Sequence, residues 1–208
     1  MKNFILKFKF FYRLYQKIIR KNQDDYKFIK YIFNQNEKVN ILDLCCGDSF
    51  VLDYINDDVL NYTGIDNNEN YLKDSRLKYP KFNFINSDLE NIDKIPDLEK
   101  NSVDFIFLNG AIHHLDDNLV IKLFNYLEQK YPNAKYLTID PIKDNNKFLN
   151  KIMINFDRGK FIRDNVGYKN IMKKFNFLIT DDFFRMSFKL IFHYKNFDLK
   201  GTYKSWKK

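Results

Sequence analysis

Short apolar runs alternate with amphipathic segments along residues 39–140. The runs are rich in Val, Ile, Leu and Phe, which is typical of strands that are buried on both faces. The segments between them repeat apolar residues three and four positions apart, as helices do. Strands that alternate with helices in this way predict βαβ units and a mainly parallel sheet.

The alternation predicts five strands with helices between them. Asn67 or Asn68 is the expected cap of the helix that stops at Pro80, and Pro132 is expected to end another helix. The predicted strands cover residues 39–45, 62–66, 82–86, 103–108 and 136–139, and the predicted helices cover residues 50–55, 67–80 and 118–131.

The two ends of the chain add further elements to this core. Helices are predicted over residues 24–34, 145–156 and 166–175. Two β-rich runs, over 177–184 and 188–194, are joined by a short connection and predict an antiparallel hairpin. The fold class is therefore α/β, a doubly wound, mainly parallel sheet of about seven strands. We expect a single domain over 1–208, divided into an N-terminal helical cap (1–38), a ligand-binding core (39–140) and a substrate-side part with the final hairpin (141–208).

Charge is distributed unevenly over the chain, which has a net charge of +8. Residues 1–30 carry nine basic and two acidic side chains, residues 31–142 carry ten and 19, and residues 143–208 carry 16 and six. Such basic flanks could face an acidic substrate, a nucleic acid or a membrane surface, or they could be solvated lysines. Residues 8–21 predict a basic amphipathic helix, which either rests on anionic lipid or caps the core.

Composition also narrows the class of protein. The only cysteines, Cys45 and Cys46, are neighbours, so we expect no disulfide framework, and no Cys or His pattern has the spacing of a metal site. The first eleven residues are interrupted by lysines, unlike a signal peptide, and no apolar run has the length of a membrane span. We therefore expect a cytoplasmic protein without a bound metal.

The end of the first strand carries the first candidate for ligand binding. Residues 41–49, with the sequence ILDLCCGDS, predict a strand, a tight turn and the start of a helix. Gly47 suits a close approach of the backbone to a ligand at this turn. A dinucleotide fingerprint would need glycines at positions 45, 47 and 50, and only Gly47 is present, which argues against an NAD or FAD site.

The next three strands also end in polar residues. Asp66 ends the second strand, and a carboxylate there can accept both ribose hydroxyls of an adenosine ligand. Asp88 follows the third strand, where a carboxylate can take the exocyclic amine of adenine. Asn109 and the pair His113 and His114 follow the fourth strand at the same crevice.

Together these four stretches resemble the cofactor motifs of class I S-adenosylmethionine-dependent methyltransferases, particularly the methyltransferase type 11 kind. The resemblance covers residues 39–140 and implies a Rossmann-like fold, an enzyme, and S-adenosyl-L-methionine as the cofactor. By this resemblance, Asp43, Cys45 and Gly47 shape the turn on the methionine side of the cofactor, and Asn109 lines the methionine moiety. Asp66 and Asn67 hold the ribose. Asp88 and Leu89 hold the adenine. Cys45 and Ser49 replace the family's usual glycines, which predicts a stiffer turn and weaker cofactor binding.

A second resemblance concerns the acceptor side. Residues 157–163, with the sequence DRGKFIR, resemble an element in some small bacterial methyltransferases of unassigned substrate. Arg158 and Arg163 are notable because the chain uses 29 lysines and only six arginines. One hypothesis is that both bind an acidic group of the acceptor through their planar guanidinium groups. The alternative is a salt bridge to Asp157 or Asp164.

The function favoured is methyl transfer to an oxygen or nitrogen of a small or medium-sized acceptor. One of His113 and His114 could act as general base, or both could be inert, since methyl transfer needs mainly in-line positioning. His193 is expected in the core, and Asp140 either reaches the cleft or belongs to a turn. The alternatives are an RNA or DNA methyltransferase, although no N-P-P-Y motif follows the fourth strand, and a non-catalytic cofactor-binding partner protein.

Overall fold

The computed structural model describes residues 24–33, 39–55, 59–95, 103–143, 154, 159–181 and 190–208. The basic helix predicted around 8–21, with its proposed membrane contact, lies outside these residues. So do Arg158 and all but one residue of the helix predicted over 145–156.

A seven-stranded sheet forms the centre of the molecule, in the order β3-β2-β1-β4-β5-β7-β6. The first five strands of the chain run parallel to one another, and β7 runs antiparallel to both β5 and β6. The strands are β1 Val39–Leu44, β2 Val59–Asp66, β3 Asn83–Asn86, β4 Phe105–Asn109, β5 Lys135–Pro141, β6 Leu178–Thr180 and β7 Leu190–Lys195. The predicted fold class and the C-terminal antiparallel hairpin are confirmed.

Helices cover both faces of the sheet, so its central strands are buried on both sides. Residues 105–108 of β4 are all buried, and alternate side chains enter two separate apolar clusters, one on each face. The helices are α1 Asp24–Phe33, α2 Leu52–Ile55, α3 Glu69–Lys78, α4 Asp117–Lys130, α5 Asn165–Met172 and α6 Leu199–Trp206, and 3₁₀ turns cover Leu89–Lys94, Ile112–His114 and Lys173–Phe175.

Polar side chains begin several of these helices. Asn68 caps α3 by accepting a hydrogen bond from the backbone N–H of Asn70 at 3.1 Å, as one of the two predicted alternatives. Asp116 caps α4 through the N–H of Leu119 at 2.9 Å. The caps matter for the site because both helices begin just beyond the carboxyl ends of strands, and they fix where the connecting turns lie.

Helix α6 is an element that the sequence did not predict. Asp198 caps it by accepting from the N–H of Gly201, and the aromatic rings of Tyr203 and Trp206 pack against Phe28 of α1 at centroid distances of 5.1 and 5.4 Å. The spacing of Leu199, Tyr203 and Trp206 is helical and could have revealed the element. Its polar residues, among them Lys200 and Lys204, conceal this short apolar stripe.

Gly64 in β2 is expected to tolerate no side chain. A Cβ atom at this position would lie 2.8 Å from Cys46 Sγ, 3.0 Å from a ring carbon of Tyr62 and 3.1 Å from a ring carbon of Phe84. We expect Gly64→Ala to lower the free energy of unfolding by about 1–3 kcal/mol, because the methyl group overpacks this layer. Urea denaturation measures the loss, and Thr63→Ala, which adds no bulk, is the control. A variant as stable as the wild type would contradict the close packing.

Candidate functional site

The carboxyl ends of β1, β2, β3 and β4 meet at one edge of the sheet. Asp43, Asp66 and Asn109 lie in the last residues of β1, β2 and β4, and Asp88 lies two residues after β3. The strand order reverses direction between β1 and β4, the position at which open α/β sheets form a ligand crevice. The structure therefore brings the polar strand ends predicted from the sequence to one place.

The turn after β1 adopts a backbone that favours glycine. Cys45, Gly47 and Ser49 have φ angles of 60°, 57° and 52°. Cys45 and Ser49 therefore occupy the left-handed region without being glycines, at a cost of about 1–2 kcal/mol each. A Cβ atom on Gly47 would meet nothing within 4 Å, so the open side of this turn has room for a ligand against the backbone.

Asp66 joins this turn to the end of β2. Its Oδ2 accepts a hydrogen bond from the N–H of Gly47 at 2.9 Å, and its Oδ1 accepts from the N–H of Asn68 at 2.8 Å. An ionised carboxylate offers about four lone-pair positions. The two backbone bonds hold the carboxylate in place and leave acceptor capacity for hydroxyl groups.

Asp88 is held in a similar way at the end of β3. Its Oδ1 accepts from the N–H of Glu90 at 2.9 Å, which caps the 3₁₀ turn Leu89–Lys94, and its Oδ2 accepts from the side-chain amide of Asn67 at 3.0 Å. Asn67 thus bridges the ends of β2 and β3. Leu89 is buried beside them and supplies apolar surface.

Asp43 is buried at the end of β1 and accepts a hydrogen bond from the Tyr62 hydroxyl at 2.5 Å. Burial raises the pKa of the Asp43 carboxyl to about 7, the Tyr62 hydroxyl opposes that rise, and the nearby Asp66 charge adds to it. A carboxyl with this pKa is poised to ionise when a cation binds beside it.

The two cysteines of the turn are not activated thiols. Burial is the largest cause that raises the pKa of Cys45 and of Cys46 well above the usual value, and the charges of Asp43 and Asp66 raise both further. Both therefore remain protonated at neutral pH. They act here as small side chains and not as nucleophiles.

The two histidines after β4 lie in the 3₁₀ turn Ile112–His114, and their rings are 4.2 Å apart between centroids. Adjacent side chains of a strand point to opposite faces, but in this turn the two rings contact each other. His114 is exposed, whereas His113 is buried and its Nδ1 lies 2.9 Å from Asp140 Oδ1. The N–H of His113 lies 3.2 Å from the same oxygen.

Arg163 lies beside the histidine turn. Its guanidinium donates to Asp117 Oδ1 at 2.7 and 3.0 Å and to the carbonyl oxygens of Ile112, Leu115 and Phe161 at 2.8–3.2 Å. Among the described residues its ion-pair partner is Asp117, while Asp164 caps α5 through the N–H of Gly167, and Asp157 lies outside these residues. Recognition of an acidic acceptor by Arg163 stays a prediction.

We expect Arg163→Lys to lower the free energy of unfolding by about 1–3 kcal/mol, because one ammonium group cannot reproduce this fork of hydrogen bonds. Thermal unfolding measures the change. Arg76→Lys is the matched control, since Arg76 forms a half-exposed ion pair with Glu69 and donates to one carbonyl, that of Phe84. Equal losses in both variants would contradict a special role for Arg163.

Tyr62, which the sequence did not point to, contacts Asp43, and Asp140, for which the sequence left a cleft and a turn open, contacts His113 at the end of β5. The contact between Tyr62 and Asp43 joins the neighbouring strands β2 and β1, so it cannot be inferred from the spacing of residues in the sequence. His193 is buried in the core, as expected.

Within the described ranges, no group of three or more His, Cys, Asp or Glu side chains is arranged to hold a metal ion. None of the helices in the same ranges is long and apolar enough to cross a membrane. The cytoplasmic location stays a prediction.

The residues at this edge fit S-adenosylmethionine. The open side of Gly47 leaves space against the backbone, the carboxylates of Asp66 and Asp88 suit hydroxyl and amine donors, and the buried carboxyl of Asp43 suits a cation. These are the chemical groups that the cofactor carries: a ribose, an adenine and a cationic methionine end.

A family model described as "Methyltransferase domain" matches residues 42–145, which is half of the chain. The chain belongs to this family of S-adenosylmethionine-dependent methyltransferases. Among curated proteins, no sequence matches it.

Solved structures share the fold at low sequence identity. A SAM-dependent methyltransferase from Archaeoglobus fulgidus is 18% identical with a TM-score of 0.66, over 88% of this chain and 99% of that one. The plantazolicin methyltransferase BamL, solved with a triazolic desmethylPZN analog and SAH, is 14% identical with a TM-score of 0.66, over 94% of each chain. The mitomycin 7-O-methyltransferase MmcR is 13% identical with a TM-score of 0.61 over 82% of this chain, which spans only 53% of MmcR.

Proposed function

We propose that this protein transfers the methyl group of S-adenosylmethionine to an oxygen or nitrogen atom of a small or medium-sized acceptor. The observation that carries the proposal is the meeting of Asp43, Asp66, Asp88 and Asn109 at the point where the strand order reverses. The acceptor is taken to be a small molecule because BamL, a protein of the same fold, holds such a ligand together with SAH.

Asp66 and Asp88 hold the adenosine part of the cofactor in this proposal. Each carboxylate is already fixed by two hydrogen bonds from the chain and retains lone pairs for further donors. Asp66 accepts the ribose hydroxyls, with Asn67 beside it, and Asp88 accepts the adenine amine. Leu89 packs against the adenine ring.

The turn after β1 and the end of β4 hold the methionine part. The cofactor, when bound, supplies a methyl group already activated by the sulfonium charge. Gly47 and Cys45 give the ligand access to the backbone of the turn, Asp43 balances the positive charge, and Asn109 lines the opposite wall. The chain mainly has to bind and align the two reactants.

The acceptor side lies at the ends of β4 and β5. The N–H of Phe161 donates to the carbonyl of His113 at 2.9 Å, and the N–H of Lys143 donates to that of Arg163 at 2.9 Å, so residues 159–164 line the same edge. His113 or His114 takes a proton from the acceptor. Arg158 binds an acidic group on it, and Arg163, whose five N–H groups already donate within the chain, adds its positive charge. When an acceptor is known, an unchanged KM in Arg158→Lys would contradict the binding role of Arg158.

The test is transfer of labelled methyl groups from S-adenosylmethionine to fractions of a small-molecule cell extract. We expect a labelled product with the wild type and much less with Asp66→Asn at the same protein concentration. Asp93→Asn, which removes an exposed carboxylate paired with Lys122, is the control and should behave as the wild type. Cofactor binding without transfer to any fraction would favour the non-catalytic alternative. Transfer only to the nucleic-acid fraction would favour an RNA or DNA methyltransferase.

A further inference from the structure

Two buried polar atoms beside the histidine turn lack a hydrogen-bond partner among the residues that the structure describes. They are Oδ2 of Asp140 and Nε2 of His193, in side chains that are fully buried. Buried polar atoms are nearly always paired, with protein or with ordered water. A carboxylate oxygen accepts hydrogen bonds, and an imidazole nitrogen can donate them, so the two atoms are complementary.

The register of β5 and β7 places these side chains on one face of the sheet. Thr138 pairs with His193 and Asp140 pairs with Ile191, so Asp140 and His193 are diagonal neighbours across the two strands. Diagonal side chains of an antiparallel pair come within reach of each other. The Asp140 charge also acts on the His193 ring. The two atoms form no direct hydrogen bond, and a water molecule between them would give both a partner.

The proton on His193 follows from its surroundings. Burial lowers the pKa of His193 to about 4, so the ring is neutral at pH 7. Its Nδ1 lies 2.6 Å from the hydroxyl oxygen of Thr138. When that hydroxyl donates to Nδ1, the single ring proton resides on Nε2, which then needs an acceptor. A water molecule between them would accept from Nε2 and donate to Asp140 Oδ2.

The other oxygen of Asp140 determines the state of His113. Oδ1 lies 2.9 Å from the ring Nδ1 and 3.2 Å from the backbone N–H of the same residue. An ionised carboxylate only accepts, so Nδ1 must carry the proton and donate it. In the neutral ring, Nε2 is then the basic nitrogen.

We infer that Asp140 is a positioning residue, which fixes the His113 ring with its proton on Nδ1 and is itself held through a buried water by His193. The inference rests on the proposed function, because Nε2 of His113 would then be the atom that takes the acceptor's proton. Charged or titratable groups beside this turn include His114, whose ring contacts that of His113, and Arg163, which donates to the carbonyl of Ile112 and pairs with Asp117. Asp140 also acts electrostatically on Cys45 in the cofactor turn, so it lies near the proposed crevice.

The experiment uses the whole chain labelled with ¹⁵N, in which long-range ¹H–¹⁵N spectra show the protonated nitrogen of each histidine ring. The chain has only three histidines, so single replacement of His114 and of His193 assigns the signals. We expect His113 with its proton on Nδ1 and His193 with its proton on Nε2, and an exchange signal between the His193 proton and a long-lived water. In Asp140→Asn we expect His113 to populate both neutral forms, and the water signal to be lost.

Thr138→Val is the matched control for this network. It removes the hydroxyl that faces His193 and should leave the His113 signals unchanged, whereas Asp140→Asn should change them. A wild-type His113 ring protonated on Nε2 overturns the inference, and this result needs no variant to fold. The absence of a water signal at His193 overturns the bridge. Calorimetric titration of the wild type with S-adenosylmethionine distinguishes a failure of the proposed function from a failure of the positioning role. If the protein does not bind S-adenosylmethionine, the proposed function is refuted, whatever the ring signals show.

Discussion

Replacement of Asp66 by Asn is expected to weaken the binding of S-adenosylmethionine about 10- to 100-fold. The carboxylate is held by the N–H groups of Gly47 and Asn68, so it is already oriented in the crevice before the ligand arrives. A hydrogen bond to a charged group contributes about 1.5–3 kcal/mol, and Asn removes the charge. Isothermal titration calorimetry measures the dissociation constants of the wild type and the variant.

Two control measurements show whether the loss of affinity in Asp66→Asn comes from a lost contact with the ribose. Thermal unfolding without ligand shows whether Asp66→Asn disturbs the turn itself, since the variant also changes the partner of Gly47. A 2′-deoxy analogue of S-adenosylhomocysteine lacks one ribose hydroxyl, so it should lose less affinity than S-adenosylhomocysteine on the same substitution. Equal losses for the two ligands would show that Asp66 does not contact that hydroxyl. Equal affinity of wild type and variant for S-adenosylmethionine would refute its role in cofactor binding.

The binding of S-adenosylmethionine should also depend strongly on pH because of Asp43. Its carboxyl has a pKa of about 7 in the folded protein, raised by burial, against 3.8 for an ordinary aspartate. A cation bound beside it favours the ionised form, so below pH 7 binding must release a proton. We expect the association constant to rise with pH between 5 and 7, by at most about tenfold per pH unit, and to level off above that range.

The same shift has the opposite effect on the ligand-free protein. Between pH 4 and 7 the folded state binds a proton at Asp43 that the unfolded state has released, so the free energy of unfolding falls as the pH rises. The slope is at most about 1.4 kcal/mol per pH unit. Stability from this group is therefore greatest at low pH, and S-adenosylmethionine should restore part of the loss near neutrality.

Calorimetry in buffers of different ionisation enthalpy counts the protons released. Asp43→Asn should abolish the release, and Tyr62→Phe should move the pH range upward, because the Tyr62 hydroxyl stabilises the ionised carboxyl. S-adenosylhomocysteine lacks the sulfonium charge, so a smaller release with that ligand would identify the sulfonium as the cation near Asp43. If Asp43→Asn still releases a proton on binding, the proton comes from another group.

The sequence predicted the parallel core well because its strands are buried on both faces. Such strands appear as unbroken apolar runs, and polar residues such as Asp66 and Asn109 mark their carboxyl ends. Parallel strands bring those ends to one edge, so the polar residues of the cofactor site could be inferred without any contact being known. Their individual roles stay predictions.

Contacts between distant segments could not be predicted. Arg163 pairs with Asp117 across 46 residues, and His113 pairs with Asp140 across 27, at positions where the sequence offers several charged alternatives. The short 3₁₀ turn Ile112–His114 has no periodic pattern, so the sequence could not show that the two imidazole rings touch. Packing selects these partners, and packing is a property of the assembled sheet.

The position of β7 has a consequence for how the protein is made. β7 lies between β5 and β6, although it follows both along the chain. While the ribosome adds residues one at a time, β5 has a free edge until residues 190–195 emerge, and free strand edges attract other chains. We expect β6 and β7 to pair with each other before β7 docks on β5. Among the described strands, the one that comes last in the chain then enters the sheet between two strands that precede it.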